Sequence, residues 1–293
     1  MKILNFGSIN LDYVYRVPHI VRPGETIPSK SFKVFAGGKG ANQSVALAKA
    51  GATVIHAGKV GSQDRWLVDR LAKMGVDTRF IEMTKDSTGH AIIQVDDNGE
   101  NAIFLFQGAN MQIERRHIDS VFSAMEEDAL LLLQNEISEI PYIISTAREK
   151  NMKVCLNPAP FDDSVCRYPL DLVNILVFNE TEGQGLTGKE PEEEIITELA
   201  RRFPQCTIIL TLGAEGAVYH CAGEHIRVPA PKVQAVDTTA AGDTFIGYFL
   251  ALYAEGMDPR FCLENACRAA SICVTRHGAS DSIPERHTVM AKK

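Results

Sequence analysis

The 293-residue chain predicts an α/β fold in which a mostly parallel sheet carries helices on both faces. Three observations support this. Its apolar fraction of 45% and charged fraction of 23% are those of an ordinary globular protein long enough to build a large core without disulfides or metals. From about residue 40, short apolar runs alternate with helical patterns, and strands joined through helices need the crossovers that make a sheet parallel. Polar residues also collect just past several of the strands, where open α/β sheets bind ligands.

In order, the N-terminal run through Phe6-Gly7 reads as a strand, residues 41–50 as a helix, 53–59 as a strand and 64–74 as a helix. Strands over 128–134 and 152–156 flank a helix over 140–150, and strands over 172–178 and 207–212 flank a helix over 192–203. Two helices, 241–255 and 259–275, close the chain. Residues 13–36 and 88–106 break this rhythm with β-type alternation. In the second, Asp96-Asp97-Asn98-Gly99 separates two apolar runs, a hairpin signature. These regions make either one small accessory sheet or two unrelated surface hairpins; the pattern alone leaves both open. Without repeats or long linkers, residues 1–293 read as a single domain.

Thirty basic against 37 acidic residues give a net charge of −7, which argues against nucleic acid as the main partner. Seven cysteines, none in a CxxC pair, read as free thiols in a reducing compartment rather than a metal or redox set. Neither a signal-peptide core nor a membrane-spanning run is evident, so a cytoplasmic protein is expected.

The strongest chemical signal is Asp237-Thr238-Thr239-Ala240-Ala241-Gly242-Asp243-Thr244-Phe245, which follows a β-like run over 233–236 and opens a long apolar helix. The small residues Ala240, Ala241 and Gly242 let backbone amides approach a ligand. Amides at a helix start are unpaired and face the positive end of the dipole, which suits an anion. The Asp243 carboxylate can take a proton from a hydroxyl nucleophile at the same spot; the ordinary alternative is a helix cap. A second signal, Gly37-Gly38-Lys39-Gly40-Ala41-Asn42-Gln43, makes another close-approach turn, with Lys39 and Asn42 as donors. It lacks the spacing of a phosphate-binding P-loop and on its own is equally a simple turn into a helix. Asn10 and Asp12 are expected at the end of the first strand, where an Asn-x-Asp turn is the plain alternative. Glu136 follows another strand, and Asn179-Glu180-Thr181-Glu182 follows the next.

The GGKGANQ and DTTAAGD strings resemble the two signatures of the ribokinase family of carbohydrate kinases. Between and beyond them, Gly108-Ala109-Asn110, Asn157-Pro158-Ala159-Pro160, Asn179-Glu180-Thr181-Glu182, Thr211-Leu212-Gly213 and Val274-Thr275-Arg276 fall in the family's order over nearly the whole chain. The resemblance implies a Rossmann-like three-layer α/β sandwich with a small β-sheet lid, formed here by about residues 13–36 and 88–106. It implies ATP-dependent transfer of a phosphoryl group to a sugar hydroxyl, with D-ribose going to ribose 5-phosphate. Asp243 would be the general base, and the amides of Ala240, Ala241, Gly242 and Asp243 the anion hole. Asn10, Asp12, Gly38, Lys39, Asn42 and Glu136 would hold the sugar. Asn179 and Glu182 would serve Mg²⁺ and phosphate, and Thr211 and Gly213 would line the nucleotide. Asp237, Thr239, Cys273, Arg276, Gly278 and Ser282 match a K⁺ site built mostly from backbone carbonyls. A homodimer through the lid is also implied.

Two departures from the family pattern stand out: Cys267 where relatives often carry Asn or His near adenine, and a bulky lid segment, Phe104-Leu105-Phe106-Gln107. A kinase for 2-deoxyribose, another pentose or ketose, or a nucleoside is the alternative substrate class. A non-catalytic sugar-binding regulator is the alternative from outside enzymology, because a fold does not fix a function.

Overall fold

The computed structural model describes residues 1–125 and 128–291. The chain runs β1 (Ile3–Phe6), β2 (Asn10–Arg16), β3 (Ser31–Gly37), α1 (Lys39–Lys49), β4 (Val54–Gly61), α2 (Arg65–Lys73), β5 (Asp77–Thr84), β6 (Gly89–Val95), β7 (Asn101–Phe106) and α3 (Arg115–Ser123). It continues through β8 (Leu130–Gln134), α4 (Ile140–Glu149), β9 (Lys153–Asn157), β10 (Ile175–Asn179), α5 (Glu180–Thr187), α6 (Glu192–Arg202) and β11 (Thr207–Thr211). The closing elements are β12 (Ala217–Cys221), β13 (Glu224–Val228), α7 (Ala241–Ala254), α8 (Pro259–Cys273) and α9 (Arg286–Met290).

Nine strands form one sheet in the order β13-β12-β11-β10-β9-β8-β1-β4-β5. β5 through β11 pair in parallel, and β12 and β13 add antiparallel at one edge. The period of two along each strand divides its side chains between two cores. Leu130 and Leu132 of β8 face the core of α1, α2, α7 and α8, whereas Leu131 and Leu133 face that of α3, α4 and α6. Each fully buried Leu or Ile contributes about 1.5–3 kcal/mol relative to exposure. The predicted α/β fold, with helices on both faces of a mostly parallel sheet, is the observed one.

A second sheet has the order β3-β2-β6-β7, with β2–β6 parallel and the other pairs antiparallel. Its strands come from distant parts of the chain, so the two irregular regions make one accessory sheet and not separate hairpins. The β6–β7 turn follows from its residues: Asp96 Oδ1 accepts the amides of Asn98 (2.8 Å) and Glu100 (2.9 Å), while Gly99 takes φ 85°.

Three expectations need correction. Asn10 and Asp12 do not end the first strand; β1 stops at Phe6 and they open β2. The Ser8 carbonyl turns away to accept the Ala41 amide at 2.9 Å, which carries the chain from the large sheet to the small one. The run over 233–236 is not a strand: Val233 and Val236 are exposed, and the Val236 amide donates to the Val274 carbonyl after α8 (2.8 Å). The strand expected from 172 starts at Ile175, because Leu170–Leu172 form a helical turn after Pro169.

Candidate active site

The site forms where α1 and α7 begin beside the ends of β8, β9 and β10. Gly38, with φ 93°, is the residue before α1, and a Cβ there would meet the Asn10 amide at 2.9 Å. A Cβ on Gly40 would stand 2.4 Å from the Ser8 amide. These glycines let α1 start directly against the β1–β2 connection, which sets Lys39, Asn42 and Gln43 beside Asp243.

Asp243 lies in the first turn of α7 and is buried. Its Oδ2 accepts from Asn42 Nδ2 (3.1 Å) and its Oδ1 from Gln43 Nε2 (2.9 Å). Burial pushes the Asp243 carboxyl above the ordinary range, while Lys39, Gln43 and Asn42 pull the other way. Ala240, the residue before the helix, takes φ 60°, a left-handed conformation that a non-glycine residue seldom adopts. The Ala241 amide donates to the Thr238 carbonyl (3.2 Å). The next amides, of Gly242 and Asp243, open the helix where no intrahelical acceptor exists, and no side chain caps them. A Cβ on Gly242 would meet nothing within 4 Å.

Asp243, Gly242, Ala241 and Ala240 line one side of an open cleft of about 240 Å³. Lys39, Asn179, Glu182 and Thr211 line it too. Gly213 lies two residues past Thr211, in a helical turn with φ 54°. Asn179 and Glu182 form a reciprocal capping box on α5. Asn179 Oδ1 accepts the Glu182 amide (2.9 Å), and Glu182 Oε2 accepts the Asn179 amide (3.0 Å). The motif therefore does structural work and presents a carboxylate to the cleft. Burial raises the Glu182 carboxyl.

On the other side of Lys39, the Glu136 carboxylate accepts from the Lys39 amide (3.1 Å) and from the Ser8 hydroxyl. Burial raises the Glu136 carboxyl against the pull of Ser8 and Lys39. Asp12 is pushed up to about 6, first by burial and then by Glu136. The Asn10 Oδ1 accepts from Asn110 Nδ2 (2.7 Å). Asn42 Oδ1 is buried with no protein partner, a state that favours a ligand donor. Burial would lower the Lys39 ammonium pKa, but Asp243, Glu136 and Glu182 outweigh it and raise it. Asn10, Asp12, Gly38, Lys39, Asn42 and Glu136, the set implied by the resemblance, thus lie together as one polar cluster beside Asp243.

The third predicted group also assembles. Asp237 accepts the Thr239 amide through Oδ1 (2.9 Å) and the Gly278 amide through Oδ2 (3.0 Å). Cys273 Sγ lies 3.0 Å from Ser282 Oγ and 3.8 Å from the Thr239 carbonyl, and the Arg276 amide donates to the Cys273 carbonyl (3.1 Å). Carbonyl, hydroxyl and carboxylate oxygens dominate this loop, a hard donor set. Ser8, Asn110, Gln43, Gln134 and Asn157 were not predicted as site residues. Gln43, Asn110 and Asn157 sit inside quoted motifs; Ser8 and Gln134 carry no sequence signal beyond being polar residues that become buried.

The pfkB family carbohydrate kinase model matches residues 1–286. The chain belongs to that family. It is an ATP-dependent carbohydrate kinase, and ribokinases stand among its relatives. It is 36% identical to the ribokinase of Haemophilus influenzae, over 97% of this chain and 95% of that one. It is 32% identical to the deoxyribokinase of Salmonella typhimurium, over 97% and 96%. Among solved structures, Arabidopsis thaliana ribokinase complexed with ribose and ATP superposes with a TM-score of 0.86 at 30% identity, covering 99% of this kinase and 97% of that chain. No helix among the kinase's described residues is long and apolar enough to cross a membrane.

Proposed function

We propose that this kinase phosphorylates D-ribose to ribose 5-phosphate, with Asp243 as the general base. The observation that carries this reading is the buried Asp243 carboxylate, shared between Asn42 and Gln43, which lines the cleft beside the polar cluster. ATP would lie in the cleft with its γ-phosphate at the first turn of α7. The sugar hydroxyl oxygen attacks the γ-phosphorus, the bond to the β-phosphate oxygen breaks, ADP departs, and Asp243 takes the hydroxyl proton. The amides of Gly242 and Asp243, with Ala240 and Ala241 shaping the turn, would meet the charge on the transferring group. Asn10, Asp12, Asn42, Lys39 and Glu136 would bind the sugar hydroxyls, with Gly38 leaving room for them. Thr211 and Gly213 would line the nucleotide.

Mg²⁺ would accompany ATP. Among the described residues no group of three potential protein ligands gathers. This suits an ion held through phosphates, waters and one nearby carboxylate, and Glu182 with Asn179 fits that part. K⁺ would occupy the loop of Asp237, Thr239, Cys273, Arg276, Gly278 and Ser282, where it would neutralise charge behind the anion hole.

The small sheet would act as a lid, with residues 1–293 forming one domain around it. Phe32 on β3 and Phe104 and Phe106 on β7 are exposed, Tyr13 stacks with Phe32, and Tyr15 meets it at a tilt. An aromatic face of this kind is a pairing surface, so a homodimer through the lid is part of the proposal. Sedimentation showing only monomer at micromolar concentration would remove it. A cytoplasmic location agrees with seven unpaired cysteines, five of them buried.

The test is ADP release with magnesium and potassium, comparing D-ribose, 2-deoxy-D-ribose, D-fructose and adenosine. Preference for ribose is expected. The resemblance to a deoxyribokinase makes 2-deoxyribose the second reading, and preference for it would keep the mechanism and change the sugar. Binding of sugar without turnover would favour the regulator. An equal rate in sodium and potassium would discard the cation site.

A further inference from the structure

Behind the base lies a buried polar network that crosses the large sheet. Asn5 of β1, Gln43 and Ser44 of α1, His56 of β4 and Gln134 of β8 are each 0% exposed, so every hydrogen bond among them is shielded from water. Their donors and acceptors fit in one way only. His56 Nε2 faces the Gly7 carbonyl (3.1 Å), a pure acceptor, so Nε2 carries the proton and Nδ1 accepts from the Ser44 hydroxyl (2.8 Å). Ser44 Oγ then accepts from Asn5 Nδ2 (2.8 Å), whose other hydrogen goes to the Gly40 carbonyl (2.8 Å). This leaves Asn5 Oδ1 to accept from Gln134 Nε2 (3.0 Å), and the second Gln134 hydrogen goes to Gln43 Oε1 (2.7 Å). Gln43 Nε2 is left to donate to Asp243 Oδ1 (2.9 Å) and Asn157 Oδ1 (3.2 Å).

We propose that Gln43 is a positioning residue for the base, locked by Gln134 as an obligate donor to Asp243 Oδ1, which fixes the plane of the carboxylate. This rests on the reading of Asp243 as the base. Flipping the Gln43 amide would set its oxygen against the carboxylate and its NH₂ against that of Gln134, two buried repulsions with no water to relieve them. With Oδ1 held by Gln43 and Oδ2 by Asn42, rotation of the carboxylate about its own axis would break both bonds. Burial pushes His56 down to about 4, so the far end of the network stays neutral across the pH range in which a kinase works. Besides Gln43 and Asn42, the charged groups facing Asp243 are Lys39 on α1, Glu136 after β8 and Glu182 on α5.

The experiment measures kcat, sugar KM and the pH dependence of kcat for Gln43→Leu and Gln134→Leu, with Asp243→Asn in the same assay. For Gln43→Leu a fall in kcat of up to about 100-fold is expected, the scale of a small misplacement of a reacting group, with sugar KM nearly unchanged. The acid limb of kcat should move to higher pH, because a hydrogen bond that favours the ionised base has gone. Gln134→Leu should give a smaller change of the same sign. Gln43→Met replaces Gln43→Leu if the leucine variant does not fold. A space-filling role for Gln43 would lower the unfolding midpoint and leave the acid limb in place. That result, or a kcat within twofold of wild type, overturns the inference while an inactive Asp243→Asn leaves the base reading standing. A fully active Asp243→Asn overturns both.

Discussion

The large and small sheets of this kinase divide the work of the site unequally. Strands β1, β4 and β8 of the large sheet are buried along their whole length. Their Asn5, His56 and Gln134 side chains, which water cannot reach, back the Gln43 that bonds Asp243. In the small sheet, β3 and β7 are exposed almost throughout, and the sheet supplies Asn10 and Asp12, whose proposed partner is the sugar. On the proposed reading the base rests on the buried body, while the sugar contacts are split between that body and the less buried sheet. Local openings have lower free energy where burial is sparse, so the small sheet opens at lower cost than the large one.

The largest effect that tests this division is at the base. Asp243→Asn should cut kcat by about 10²–10⁴-fold, the usual worth of a general base, while calorimetric titration still shows sugar and nucleotide binding. An amide at this position keeps the shape and removes the proton acceptor. Loss of binding alongside turnover would mean that Asp243 organises the pocket, and would blur the proposed boundary between the two halves.

Two glycines sharpen the comparison from the structural side. A methyl group on Gly40 would press against backbone at 2.4 Å, with no flexible side chain to give way. Gly40→Ala should therefore cost at least about 1–3 kcal/mol of stability, read from denaturant unfolding. Gly242 faces open space in the cleft, so Gly242→Ala should leave the unfolding midpoint nearly unchanged and raise the KM for ATP. Equal destabilisation by both would mean that the start of α7 is packed rather than open.

Asp12 predicts a pH effect confined to the small sheet. Its folded pKa of about 6 lies above its ordinary 3.8, so folding favours the protonated form. The stability tied to this group is present below about pH 4 and is lost as pH rises through about 6. Asp12→Asn should accordingly raise the unfolding midpoint at pH 7.5, with the gain vanishing near pH 4. In the wild type, sugar KM should rise as pH falls through about 6, since an ionised Asp12 is the better hydroxyl acceptor. Identical midpoints for variant and wild type at pH 7.5 would show that Asp12 is solvated in the free enzyme.

The same division explains what could be read from sequence. The long helices α1, α7 and α8 and the Leu-rich β8 announce themselves through local pattern, and the two signature strings fix the helix starts that carry the base and Lys39. β5 was missed because its edge position leaves a mixed run, Asp-Thr-Arg-Phe-Ile-Glu-Met-Thr, without alternation. α5 was missed because Gly183 and Gly185 lie inside it, against propensity. The β12–β13 hairpin turns through Ala222 at φ 49° and Gly223 at φ 86°, and an alanine in a place favouring Asn or Gly hid the turn. The accessory sheet could not be told from separate hairpins because strand pairing across seventy-nine residues, as between β2 and β6, leaves no local trace. The amide network behind Asp243 is similarly nonlocal: Asn5, Gln43 and Gln134 acquire their meaning only when β1, α1 and β8 meet.

The smallest effect lies in the capping box of α5, where structure and function share the same two residues. Asn179 donates its backbone amide and Nδ2 to Glu182 and accepts the Glu182 amide. Asn179→Ala removes the cap and should cost about 1 kcal/mol, a shift readable in thermal unfolding. Asn179→Ser and Asn179→Asp keep a cap acceptor and should recover most of that stability. Activity separates the roles: if Asn179 only caps, the serine variant should recover turnover in step with stability. If Nδ2 also holds the Glu182 carboxylate toward the cleft, serine should restore the unfolding midpoint and leave the ATP-dependent rate low. A serine variant with restored stability and a low rate would place this cap within the catalytic half of the molecule.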